Sequence, residues 1–118
     1  MDAIGAAVDV LGDRWVLLIL RDVIVSDRRH FRALLTGSAE GIASNILADR
    51  LVRLVDAGIL ARGTAARGQR ARYSLTEAGI QTVPVLMALG AWGAEWRDSD
   101  GPIAIDLDEL RQRHLENV

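Results

Sequence analysis

Apolar residues recur at helical spacing over most of this chain. Ile4, Ala7, Val8 and Leu11 stand at i, i+3, i+4 and i+7, which predicts a first helix over residues 2–11. Gly12-Asp13 breaks it, and the Asp13 carboxylate is placed to cap a second helix. Arg14 to Val25 is apolar almost all round, and such a helix belongs at the centre of a fold, with Trp15 as a core anchor. Ser26 to Arg29 reads as a turn into a third helix, about His30 to Leu35, whose Phe31, Leu34 and Leu35 share one face. After Thr36 to Gly41, a fourth helix has clear ends. Ser44 is its expected N-cap and Gly58 its stop. Leu47, Leu51, Leu54 and Val55 form its buried stripe, and Asn45, Asp49, Val52, Arg53 and Asp56 its open face.

The period then changes. Ile59 to Gly63 reads as a strand and Arg70 to Leu75 as its return, with Tyr73 and Leu75 on one face and Arg72 and Ser74 on the other. Thr76 caps the next helix, expected to run over about residues 77–96 with Pro84 kinking it or lying near a bend. It carries two apolar stripes: Ile80, Val83, Met87, Gly90 and Ala94 on one, Val85, Leu89, Trp92 and Trp96 on the other. One stripe covers the domain; the second predicts burial against another subunit. Arg97 to Ile105 is a polar loop. Asp106 caps a last helix, about residues 106–116, whose Leu107, Leu110 and Leu115 make a narrow dimer-type stripe. The fold expected is mainly α with a two-stranded wing, in one domain over residues 1–118.

Charge adds a partner to this picture. The net charge is only −2. Yet residues 28–72 hold nine Arg against three acids, a +6 block between a −3 start and a −5 end. Local field matters more than the total for a polyanion. Two short helices joined by a Gly-containing turn, then a basic hairpin, describe a winged helix-turn-helix. Asn45 and Arg53, with Ser44 and Asp49, are expected to face the major groove. Arg67, Gln69, Arg70 and Arg72 belong to the wing, on backbone or minor groove. Arg28, Arg29 and His30 are expected on phosphate. Arg50 is either a DNA contact or the ion-pair partner of Asp22 or Asp49.

Chemistry is absent from the pattern. With no cysteine and only two histidines, His30 and His114, there is no thiolate metal site, disulfide or thiol switch, and neither metal nor cofactor is expected. No acid–base or nucleophile constellation supports an enzyme. The acidic N-terminus and the short apolar run from Trp15 to Leu20 give neither a signal peptide nor a membrane span, so a cytoplasmic protein is expected.

Four segments resemble HxlR-type bacterial transcriptional regulators, in order, over roughly residues 3–96. Leu11 to Asp22 resembles their second-helix signature and Gly41 to Leu51 their recognition helix. Arg72 to Gly79 resembles the wing strand and the cap after it. Val83 to Leu86 and Ala91 to Gly93 resemble the long helix beyond. The resemblance implies a homodimeric regulator on palindromic operator DNA. Many members carry a cysteine just before the first helix, used in some for redox sensing; this chain begins inside that region and has none, so no thiol sensor is expected. The tail beyond Arg97 extends past the usual helix and adds dimer contacts or shapes an effector pocket.

The dimer interface is expected at Ile4, Val8, Val85, Leu89, Trp92, Trp96, Leu107 and Leu110. A small-molecule effector is considered where Trp92 and Trp96 cluster, with packing the simpler role for both. The competing function is a winged helix used only for protein association, which would keep the apolar pattern but has no use for the +6 block.

Overall fold

The computed structural model describes residues 1–116. In order it holds α1 (Ala3–Leu11), α2 (Arg14–Ser26), α3 (Phe31–Thr36), α4 (Ser44–Asp56), β1 (Leu60–Arg62), β2 (Tyr73–Leu75), α5 (Glu77–Ile80), α6 (Val83–Trp96) and α7 (Leu107–Arg111). A π-helical turn, Gln112–Glu116, continues α7. The fold is mainly helical with one two-stranded antiparallel sheet, in the register Leu60 to Leu75, Ala61 to Ser74 and Arg62 to Tyr73.

One core joins these elements. Val16, Ile19, Leu20, Val23 and Ile24 of α2 meet Leu34 of α3, Leu47, Leu51 and Leu54 of α4, and Leu60, Tyr73 and Leu75 of the sheet. The α2 helix is less enclosed than its composition predicts: Leu17 and Leu18 are half-buried and Val25 is exposed. Trp15 packs on the core, with the Arg14 guanidinium 4.7 Å above its ring.

The expected long helix over residues 77–96 is two helices, broken at Gln81-Thr82. Inside one continuous helix, Pro84 would lack its N–H and crowd the carbonyl of Ile80. The break moves it into the first turn of α6, where no N–H is needed. Thr82 marks the corner, its buried hydroxyl donating to the Gly79 carbonyl at 2.6 Å. Gly79 itself permits close packing: a Cβ there would lie 2.3 Å from the Ile59 carbonyl oxygen.

Two further expectations are corrected. Leu110, read as a dimer contact, is 3% exposed and belongs to the chain's own core. Strand β2 is buried on both faces, Ser74 included, because the π-helical turn Gln112–Glu116 folds back over the side expected to face solvent. By contrast Ile4, Val8, Val85, Leu89, Trp92, Trp96 and Leu107 all stand exposed, and α1 has no buried residue.

Candidate nucleic-acid interface

The α3–α4 unit is fixed from below. Asp13 accepts from the Val16 N–H at 2.9 Å and so caps α2. The same carboxylate receives the Arg50 guanidinium of α4 at 3.1 Å, and Asp49 takes another Arg50 nitrogen at 2.9 Å. The hydrogen bond from Arg50 holds the Asp13 carboxyl below its ordinary range. The sequence offered Asp22 or Asp49 as partners of Arg50. Asp49 is one and Asp13 the other, while Asp22 binds Arg21 at 2.9 Å and Arg28 at 3.6 Å.

The turn between the helices is anchored through Glu40, whose two oxygens accept from Arg21 at 2.7 and 2.9 Å. This paired geometry lowers Glu40 and raises Arg21 from their ordinary values. Gly41 supplies a left-handed corner, φ +70°. The N-cap expected at Ser44 is not formed: the capping position is Ala43, without a side-chain bond, and Ser44 is the first helical residue. Ser38 does related work one turn earlier, its hydroxyl accepting from the Ile42 N–H at 3.0 Å. The C-terminus of α4 closes as expected. The Ile59 N–H reaches the Leu54 carbonyl at 2.9 Å and the Gly58 N–H reaches Val55 at 3.0 Å, with Gly58 at φ +76°.

This frame leaves Ser44, Asn45, Asp49, Val52 and Arg53 exposed along α4. Asp49 also binds Arg53 at 3.0 Å, so the face is close to charge-balanced. The unbalanced cations lie elsewhere. Arg67, Gln69, Arg70 and Arg72 are exposed on the wing, where Gly68 turns the tip at φ +84°. Arg32 of α3 and Arg62 of β1 are exposed as well, and the sequence reading passed over both. Arg32 lies opposite the Leu34 face of α3, so the helical period held its signal. Arg62 shares the strand face of buried Leu60 and is exposed only because the hairpin runs past the core there. Among the described residues, none of Arg32, Arg62, Arg67, Arg70 and Arg72 forms an ion pair.

The segment expected on phosphate divides. His30 is half-buried at the start of α3. Arg28 is half-buried across Gly37, where a Cβ would meet its Nε at 2.3 Å. Arg29 is a correction: it is 4% exposed and its guanidinium is satisfied inside the protein. It donates to the Tyr73 carbonyl at 3.0 Å, the Ser74 hydroxyl at 2.6 Å and the Arg113 carbonyl at 3.1 Å. Burial first, then Arg72, lowers it from its ordinary value. His114 lies in the same layer. Its Nδ1 accepts from the Leu75 N–H at 2.9 Å, and burial followed by Arg29 pushes the imidazole down to about 4.

A second hollow lies away from this surface. A cavity of about 530 Å³ opens between α2, α6 and residues 99–105, lined by Leu17, Leu18, Leu86, Met87, Ile103 and Ile105, with Arg14 and Arg21 at its edge. Trp92 and Trp96 do not line it.

The chain is similar to known proteins throughout this region. The profile of the HxlR-like helix-turn-helix family matches residues 10–101. An uncharacterized HTH-type transcriptional regulator of Mycobacterium tuberculosis is 35% identical over 80% of this chain; the chain spans 59% of that relative's length. The uncharacterized HTH-type transcriptional regulator YvaP of Bacillus subtilis is 30% identical, over 78% of this chain and 84% of its own length. The reduced form of the transcriptional regulator YodB from B. subtilis superimposes with a TM-score of 0.66 at 27% identity, over 85% of this chain and 99% of that one.

Proposed function

Because this chain belongs to the HxlR-like helix-turn-helix family of transcriptional regulators, we propose that it binds a palindromic operator as a homodimer and regulates transcription from it in the cytoplasm. The observation that carries the reading is the split of the surface. The exposed face of α4 is polar and nearly neutral, whereas unpaired arginines stand on α3 and the wing around it. A neutral amide-bearing face suits base edges, and lone guanidiniums suit phosphate. Ser44, Asn45, Asp49 and Arg53 read the major groove. Arg67, Gln69, Arg70 and Arg72 bind the backbone beside it, joined by Arg32 and Arg62.

The second copy is supported by exposed apolar side chains. Ile4 on α1 is 78% exposed and Trp96 on α6 is 65%, and Val8, Val85, Leu89 and Trp92 are exposed with them. Nothing among the described residues covers them. An effector, read from the sequence at Trp92 and Trp96, fits better in the cavity beside α2, since the tail builds its third wall.

Selection of bound sites from random DNA tests the function. The outcome expected is an enriched inverted repeat, bound with a steep salt dependence from counterion release. A winged helix serving only protein association would enrich nothing and show no salt slope on mixed DNA.

A further inference from the structure

The wing is long for its base. Each strand has three residues, and the segment between them, Gly63 to Arg72, is exposed except at half-buried Ala71. A two-stranded hairpin of that size is marginal alone. Its direction must therefore be set where β2 meets the rest of the protein.

There the three residues of β2 are gripped in turn. The Tyr73 N–H donates to the Arg29 carbonyl at 2.7 Å, and the Tyr73 carbonyl accepts from Arg29 Nε at 3.0 Å. Ser74 takes Arg29 Nη2 on its hydroxyl at 2.6 Å. The Leu75 N–H donates to His114 Nδ1 at 2.9 Å. Arg29 reaches the tail as well, through the Arg113 carbonyl at 3.1 Å. Arg111 and Glu77 close the same joint from outside, with one of their two hydrogen bonds at 2.8 Å. As acceptor at Nδ1, the neutral imidazole carries its proton on Nε2. That nitrogen is buried with no partner among the described residues, in a side chain 1% exposed. A buried N–H without an acceptor is costly, so packing alone would favour leucine here. The imidazole is instead explained by Leu75, whose N–H would otherwise be the orphan. Arg111, Arg113 and His114 lie beyond residues 10–101, the stretch that the family profile matches, while Arg29 and β2 lie within it.

We propose that the C-terminal helix is a strut for the wing, and that His114 and Arg29 are positioning residues for DNA binding. They touch no DNA. They hold β2 at the angle from which Arg67, Gln69 and Arg70 meet the backbone. The inference rests on the DNA-binding function proposed above.

Double-mutant titrations with the selected operator test it, using fluorescence anisotropy on the full chain. His114→Leu keeps bulk and removes the acceptor; His114→Asn sets an amide oxygen where Nδ1 stands. In the native wing, His114→Leu is expected to weaken binding about ten-fold and His114→Asn to restore it to within about three-fold. In an Arg67→Ala/Gln69→Ala/Arg70→Ala background, His114→Leu should change nothing further. Exchange of the Leu75 amide should speed up in the Leu variant and stay slow in the Asn variant. Should His114→Leu not fold, Ser74→Ala carries the test, since it frees one arm of Arg29 and leaves His114 in place. Its loss must likewise vanish without Arg67, Gln69 and Arg70. An equal loss in both backgrounds, or unchanged affinity, overturns the strut. A native protein that binds no operator overturns the proposed function and the strut together, whereas sound binding with an inert His114 overturns the strut alone.

Discussion

Arg50 and Asp13 join α4 to the start of α2, guanidinium to carboxylate at 3.1 Å, across 37 residues of sequence. One carboxylate thus serves two elements, as the N-cap of α2 and as the anchor of α4. The two duties are separable by substitution. Asp13→Asn keeps a capping oxygen and loses the charge; Asp13→Ala loses both. Asp13→Ala should cost about 1 kcal/mol more than Asp13→Asn, the usual worth of an N-cap. Arg50→Ala should cost at least as much as Asp13→Asn in urea unfolding, since it also loses Asp49, with a loss that shrinks in high salt because the pairs are partly exposed. Equal midpoints for the Asn and Ala variants would show that the cap contributes nothing.

A stable homodimer is expected at micromolar concentration. Val85, Leu89, Trp92 and Trp96 lie exposed on α6, and Ile4 and Val8 on α1. Burying a large apolar side chain is worth roughly 1.5–3 kcal/mol. Trp92→Asp or Leu89→Asp should give monomers in sedimentation without loss of helical signal. Leu110→Asp should instead unfold the chain, since that residue sits in the monomer core. A native protein that sediments as one chain contradicts this.

Acid should weaken the fold before its carboxylates titrate. His114 has a folded value of about 4, against 6.5 when unfolded. Burial is the main cause. Arg29, Arg72 and Arg113 add to it and Asp27 opposes it. Between those values the unfolded chain binds a proton that the folded chain refuses. Stability is therefore full above about pH 6.5 and falls as pH drops towards 4, by roughly 3 kcal/mol in all. Asp13, Glu40 and Glu77 act lower down. Their folded values are depressed, Glu77 to about 2, so their contribution is lost only as pH falls below the ordinary carboxylate range. Urea midpoints from pH 7.5 to 4.5 should decline in the native protein and stay level in His114→Asn. Parallel declines would assign the effect to another group.

Much of this was readable from periodicity. Leu47, Leu51 and Leu54 had to share a helix face, and the change of period after Gly58 marked the wing. The misreadings have a common physical source in distance along the chain. Arg29 looks like a surface charge until Tyr73, Ser74 and Arg113 supply acceptors from 44 to 84 residues away. Leu110 looks like an interface residue until α7 packs on α5 and draws it into the core. Ser44 was a sound N-cap by type, but the Gly41 corner and the Ser38 hydroxyl shifted the helix start by one residue. Pro84 did carry the signal for the α5–α6 break, as the bend expected near it.

The central claim is a division of labour, with α4 reading bases and the wing holding phosphate. Titration of operator and mixed-sequence DNA with Asn45→Ala, Arg67→Ala and Arg70→Ala, at two salt concentrations, tests it most directly. The Asn45 amide can donate and accept together, as the N6/N7 edge of adenine requires. Asn45→Ala should cost about 1–3 kcal/mol on the operator and far less on mixed DNA. Each arginine variant should weaken both DNAs alike and lower the salt slope by about one unit. If Asn45→Ala weakens both DNAs equally, or an arginine variant erases preference at one base pair, the division is wrong.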